Sequence, residues 1–272
     1  MKAILAPTDF SVISENAVLY AAELAKATDS KLIIFHTYTI AIPVYDVPII
    51  PVPYEEIEKD KWAMMDDLAK KIKISCGEIK TELIVQQGFV VDEIINMLET
   101  KKADMVVMGI EKAENSSYIL GSHTIDIMKK AVLPVLCIPE NTTFKKPKNI
   151  ALACDYKAII PTSVVTNFKK IVHLFESHVL IFDVLKKTEI ISYQKAAAEV
   201  NLEDALMDVK HSLYFASGDN LIEEINQFVK KNKVDILTIM PHNYNFIEGL
   251  FHQSISKKIA LHADVPILSI HE

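Results

Sequence analysis

The sequence predicts an α/β fold made twice: two tandem Rossmann-like domains, each a five-stranded parallel sheet with helices on both faces. Three observations carry this expectation. The strand candidates ("AILAP", "LIIF", "MVVM", "VLCI") are continuous apolar runs rather than alternating ones, as expected where helices cover both faces of a parallel sheet. Between them lie longer segments with apolar residues at helical spacing, so strand and helix alternate. The whole pattern then recurs in the second half of the chain.

In the first copy the opening strand is Lys2–Pro7. A helix over Ser14–Ala27 follows, with Ala17, Val18, Ala21, Leu24 and Ala25 on one face. Lys31–His36 is the second strand. After a Pro-rich stretch comes a helix over Tyr54–Ser75. Thr81–Gln86 is a strand and Val91–Lys101 a helix. Met105–Met108 is the fourth strand, separated by the loop "GIEKAENSSYIL" from a helix over Ser122–Ala131, and Val135–Ile138 closes the copy.

The second copy answers element by element. "NIALACDYKA" from Asn149 matches "KAILAPTDFS" from Lys2 and sets Asp155 opposite Asp9. "HVLIFDV" from His178 matches "KLIIFHT" from Lys31, and "GDNLIEEINQFV" from Gly218 matches "GFVVDEIINML" from Gly88. The ends match as well: "KNKVDILTIM…LHADVPILSIHE" against "KKADMVVMG…AVLPVLCIPE". The domains are therefore 1–140 and 149–272, joined by the polar, proline-containing linker 141–148, "NTTFKKPK".

Composition narrows the function classes. A net charge of −7 argues against nucleic-acid binding driven by bulk electrostatics. No uncharged apolar run reaches the roughly 18 residues of a membrane span, and the N-terminus does not read as a signal peptide. The expected location is the cytoplasm. Cys76, Cys137 and Cys154 have no CxxC spacing and read as buried thiols. With six glycines in the chain there is no GxGxxG or GxxxxGK[ST] fingerprint, and no GxSxG elbow or paired carboxylates either. The chain does not read as a dedicated enzyme.

Ligands of open parallel sheets bind outside the carboxyl ends of the strands. There the first copy places Pro7-Thr8-Asp9, His36-Thr37 and Met108-Gly109. Gly121-Ser122-His123-Thr124 opens a helix, whose free N–H groups and dipole suit an anion. Ser122 as a helix cap alone is the plainer alternative. His36 and His123 could contact a ligand there, but His36, at the end of a buried strand, reads more plainly as a satisfied residue.

The sequence "PTDFS", then "FHTY", then "DMVVMG…LGSHT…LPVLCIP" resembles the universal stress protein family, and the second copy resembles the divergent half of its tandem members. The resemblance implies the adenine nucleotide alpha hydrolase-like form of the fold. Some members bind ATP through a loop of the form G-x2-G-x9-G-[ST]; others lack the loop and do not. It also implies that Asp9 lies near a ribose, with Pro7 and Thr8 beside it. Thr37 meets adenine through its backbone, Met108 and Gly109 start the loop, and Gly121, Ser122 and Thr124 hold phosphate. His123 joins the same helix opening.

Two departures bear on this ligand. Lys112 stands at the second glycine, and eight residues rather than nine separate it from Gly121. A lysine there is strained if the backbone is left-handed, and otherwise offers a charge to phosphate. In the second copy Met240, Asn243 and Gln253 replace the three glycines and Ser254 alone remains, so that copy is expected not to bind ATP in the family manner.

The function expected is thus a stress-response protein that binds ATP or another adenine nucleotide, with or without Mg2+, weakly or in altered fashion through the first domain. The alternatives are an interaction protein that binds no nucleotide, and a slow ATPase using Asp9. His242, His252, His262 and His271 match no common ligand spacing, so no metal site is expected. The apolar, Pro-rich stretch Thr37–Glu56 reads as a segment that docks against the other domain or a second chain, with a cover over the nucleotide site as the alternative, and Trp62 as core or interface. The resemblance also implies pairing through last strands, here Val135–Ile138 with Ile267–Ile270, as an intramolecular pseudo-dimer. A second copy of the chain and an unidentified protein stay open as further partners.

Overall fold

The computed structural model describes residues 1–40, 54–112, 118–119, 122–153, 161–185, 200–217, 221–240 and 265–270. The first half runs β1 (Ala3–Pro7), α1 (Val12–Ala27), β2 (Lys31–Tyr38), α2 (Tyr54–Cys76), β3 (Thr81–Gln87), α3 (Val90–Thr100), β4 (Met105–Lys112), β5 (Tyr118–Ile119), α4 (Ser122–Lys130) and β6 (Val135–Pro139). The second half runs β7 (Asn149–Ala153), α5 (Thr162–Phe175), β8 (His178–Leu185), a helix over 200–205 (α6), β9 (His211–Ser217), α7 (Leu221–Lys231), β10 (Ile236–Ile239) and β11 (Ile267–Ser269).

The strands form one sheet in the order β3-β2-β1-β4-β6-β11-β10-β7-β8-β9, with β5 attached to β4. Each half is a parallel set, and the halves mirror each other in strand order. They join where β6 meets β11 antiparallel, with Ile267 opposite Cys137, Leu268 opposite Leu136 and Ser269 opposite Val135. Two parallel half-sheets related by an approximate two-fold axis must meet this way. The strand pairing expected from the last strands is the one found.

Alternation along each strand divides the core into two layers. Ile4, Ala6 and Ile34 face α1, α2, α5 and α6, while Ala3, Leu5 and Phe35 face α3, α4 and α7. Both layers run through both halves. Burial on both faces is why the strands read as unbroken apolar runs.

The duplication extends to individual hydrogen bonds. Asp104 accepts from the amides of Lys2 and Ala3, and Asp235 from those of Lys148 and Asn149. Ser30 Oγ donates to the Met1 carbonyl at 3.1 Å, and Ser177 Oγ to that of Pro147 at 2.8 Å. Left-handed residues recur in matching turns: Asp29 and Glu176 with φ of 47° and 57°, Lys102 and Lys233 both at 50°. An acidic residue at the foot of the fourth strand of each half thus holds the chain entering the first.

The stretch 141–148 is less of a free linker than its composition suggests. Phe144 packs edge-on against Tyr20 of α1, with centroids 5.3 Å apart, and lies 6.4 Å from Phe175 of α5. Asn16 Nδ2 donates to the carbonyls of Pro139 and Thr142. Apolar burial of one aromatic ties the connection to both halves.

Candidate functional site

The register of the strands produces a crevice. β1 pairs with β2 only as far as Pro7 opposite Phe35. Beside β3, β2 continues to Tyr38 opposite Gln87. On the other flank β4 pairs with β6 to Ile110 opposite Pro139 and runs on to Lys112. The chain therefore leaves the sheet early at β1, and Pro7-Thr8-Asp9 form a floor between the longer tails of β2 and β4. This is the place where open α/β sheets bind ligands.

The turn over that floor is heavily tied. Thr8 is buried, its amide donates to the Phe35 carbonyl at 2.8 Å, and its Oγ1 accepts from the Phe10 amide at 2.9 Å. Thr8 Oγ1 also lies 3.0 Å from Ser14 Oγ. Ser11 caps α1, accepting from the Ser14 amide at 3.2 Å, so the helix starts at Val12, two residues before the sequence suggests. These bonds hold Phe10 at φ 64°, a conformation uncommon for an aromatic residue.

Asp9 is exposed, and its Oδ1 accepts from the Ser11 amide at 3.0 Å. Partial burial pushes its carboxyl up, but the Ser11 and Ser14 hydroxyls and the Ser11 amide outweigh that, leaving it below the usual carboxylate range. It is an anionic acceptor at neutral pH, suited to a ligand's hydroxyl groups.

On the β2 tail, the Thr37 side chain is occupied: its Oγ1 donates to the Gly88 carbonyl at 3.0 Å. The hydroxyl's proton is thereby committed, and it can meet a ligand only as an acceptor. On the β4 tail, Met108 and Gly109 belong to the strand rather than to a loop. Gly109 packs against the first turn of α1, where an added Cβ would come within 2.7 Å of the Ile13 carbonyl oxygen. The glycine serves close helix–strand approach, not a left-handed turn.

Lys112 is the last residue of β4 and pairs with Tyr118 in an antiparallel hairpin with β5. Its backbone is extended, so the left-handed strain considered from sequence does not arise. α4 begins at Ser122, as expected, with Ser122 and His123 exposed. Thr124 is buried, at 6% exposure. Of the three residues that open the helix, Thr124 alone is withdrawn from the surface. Gly121 lies outside the described residues, as do Cys154, Asp155, the histidines from His242 onward, and the central part of the Pro-rich stretch.

His36 departs from its expected role. Its Nδ1 donates to the Thr8 carbonyl at 2.8 Å, but its buried Nε2 has no hydrogen-bond partner among the described residues. The Phe10 ring lies 4.4 Å from the imidazole and the Tyr38 ring 6.4 Å. The available sequence signal was a histidine flanked by aromatics in "IFHTY", beside the strand end that sets the crevice floor.

Burial holds His36 below the usual histidine range; the Lys61 charge adds to this, while the Thr8 carbonyl and Asp9 oppose it. The folded chain therefore binds fewer protons here than the unfolded chain, and stability drops as pH falls through the ordinary histidine range. Burial lowers His178 in the same direction. The melting temperature is expected to fall between about pH 7.5 and about pH 5.5, before most carboxylates titrate. His36→Asn should flatten part of that slope in a calorimetric pH series, and an unchanged slope would refute the linkage.

Elsewhere, Cys76 and Cys137 are buried free thiols, pushed up by burial to about 11 and about 12. Trp62 is partly buried against the α1–α2 layer. Met240, at the end of β10, is buried where a ligand loop would need a glycine. Among the described residues, no three His, Cys, Asp or Glu side chains gather as a metal cluster.

The comparisons with known proteins agree with this architecture. The model of the "Universal stress protein family" matches residues 1–139. A universal stress protein of Methanocaldococcus jannaschii is 33% identical over 161 residues, covering 54% of this chain and 84% of that protein. Among solved structures, a universal stress protein from Archaeoglobus fulgidus superposes with a TM-score of 0.74 at 17% identity, over 99% of this chain and 98% of that one. One from Pseudomonas aeruginosa gives 0.57 at 13% identity, over 100% and 93%. At these identities the structures speak for the fold. Among the described residues no helix is long and apolar enough to cross a membrane.

Proposed function

The chain belongs to the universal stress protein family, and from that membership we propose that its first half binds an adenine nucleotide in the crevice over β1. What supports the reading is the early end of β1 between the tails of β2 and β4, with the Asp9 carboxylate held anionic on its floor. In this reading Asp9 accepts from the ribose hydroxyls, Pro7 and Thr8 line the floor, and the Thr37 backbone meets the base. Met108 and Gly109 form one wall. The phosphates, with Mg2+ as their companion where present, rest at the opening of α4 on Gly121, Ser122 and His123, with Thr124 behind them and Lys112 at the rim.

The division into a nucleotide domain, 1–140, and a structural or regulatory domain, 149–272, is part of the proposal, as is action in the cytoplasm. Because Lys112 is an extended strand residue paired with Tyr118, the position lacks the glycine that would let the backbone approach phosphate closely, and affinity should be modest.

A thermal-shift series tests this. With ligand at about 100 times Kd, binding stabilises by about 2.7 kcal/mol, a rise of several degrees. ATP, ADP or AMP at about millimolar concentration should raise the melting temperature, and Asp9→Ala should shrink the shift. No shift with any of the three nucleotides would sink the proposal.

A further inference from the structure

Beside the turn over β1 lies a polar atom that no described residue pairs. His36 is 6% exposed, and its buried Nε2 has no hydrogen-bond partner among the described residues. Such groups are uncommon in native structures and ask for an explanation, because an unpaired buried acceptor has lost water without replacement.

The other ring nitrogen defines what Nε2 can do. Nδ1 lies 2.8 Å from the Thr8 carbonyl oxygen, which only accepts, so Nδ1 carries the proton. In the neutral ring, which burial favours, Nε2 is then a bare lone pair. It accepts and does not donate. Its surroundings are aromatic: Phe10 packs on the imidazole with centroids 4.4 Å apart, and Tyr38 lies nearly parallel to it, at 15° and 6.4 Å. Flat, apolar faces around one directional acceptor suit a planar heteroaromatic ring bearing an N–H donor. Phe10, half-buried and on the turn over β1, is the side chain whose rotation would admit such a ring.

We infer that His36 Nε2 accepts a hydrogen bond from the exocyclic amine of the bound base, so that the site selects adenine over purines with a carbonyl at that position. The inference rests on the adenine-nucleotide reading and adds to it the residue that discriminates between bases. A carbonyl in place of the amine sets lone pair against lone pair and leaves both buried acceptors unpaired. Discrimination by a missing hydrogen-bond partner is much stronger than discrimination by size.

The test is equilibrium binding to the full chain, by titration calorimetry, of ATP and of inosine triphosphate, which keeps the ribose and triphosphate but carries a carbonyl in place of the amine and a proton on the neighbouring N1, so that the change on His36→Asn rather than the wild-type preference alone reports on the amine. The wild-type chain should prefer ATP by roughly tenfold or more. His36→Asn keeps an amide donor where Nδ1 meets the Thr8 carbonyl and removes the Nε2 acceptor, so the preference should shrink towards parity. Asp9→Asn should weaken both ligands alike and leave their ratio unchanged, which separates base selection from general damage to the crevice. Equal affinity of the wild-type chain for the two nucleotides, or an undiminished preference in His36→Asn, overturns the inference and leaves nucleotide binding standing. Binding of neither nucleotide overturns both.

Discussion

Gly109→Ala is expected to destabilise the chain by about 1–3 kcal/mol, the range for overpacking a filled site, and Gly109→Val by more. A Cβ at this position would lie 2.6 Å from Ile13 Cγ2, 2.7 Å from the Ile13 carbonyl oxygen and 3.0 Å from its carbonyl carbon. Rotation of the Ile13 side chain relieves only the first of these. The other two are backbone, so the first turn of α1 must move away from β4. That turn carries Ser11 and Ser14, which cap the helix and hold Thr8 and Asp9. Loss of stability should therefore come with loss of nucleotide affinity. Gly88→Ala makes a useful contrast, since the three atoms nearest a Cβ there belong to the Glu93 side chain rather than to backbone. Urea denaturation and ATP titration of the two variants check this. A Gly109→Ala midpoint equal to wild type would show that α1 yields freely.

Leu268→Asp should have the largest effect on stability. Leu268 is 0% exposed in β11, opposite Leu136, at the seam where the half-sheets join. Leu268 lines an apolar cavity with Leu136, Phe175 and Ile236, and a buried charge in such a place costs several kcal/mol or forces the strand out. Leu268→Ala is the milder control, expected to lose about 2–5 kcal/mol through lost burial and the cavity left behind. Because both core layers run across this seam, the aspartate variant should unfold at markedly lower urea and expose both halves to protease. Retention of wild-type protease resistance would mean that the seam contributes little.

Much of the fold was legible because burial on both faces leaves a local trace. The runs "LIIF" and "MVVM" fall within β2 and β4, and the helical spacing from Ala17 to Ala25 marks the buried face of α1. Asp104 and Asp235 were visible as a repeated acidic residue before a strand, although not as holders of the entering chain. Strand ends were harder. Sequence placed the end of the fourth strand at Met108, but it runs to Lys112, because pairing with β6 and with the returning β5 supplies hydrogen bonds that no local propensity encodes.

The candidate site shows the same division residue by residue. Composition, apolar periodicity and internal repetition were enough for a doubled α/β chain, and for naming Asp9 and Ser122 as candidates at the strand ends. These follow from short-range chemistry: what a strand buries, what caps a helix, and which group is charged. Folding added what depends on distant segments meeting. It gave Gly109 the task of admitting the α1 backbone, buried Thr124, and tied the Thr37 hydroxyl to the Gly88 carbonyl. It also satisfied one nitrogen of His36 and left the other without a partner among the described residues. Each outcome rests on contacts between segments far apart in the chain, whose register is set when the sheet assembles, so no window of neighbouring residues could have shown them.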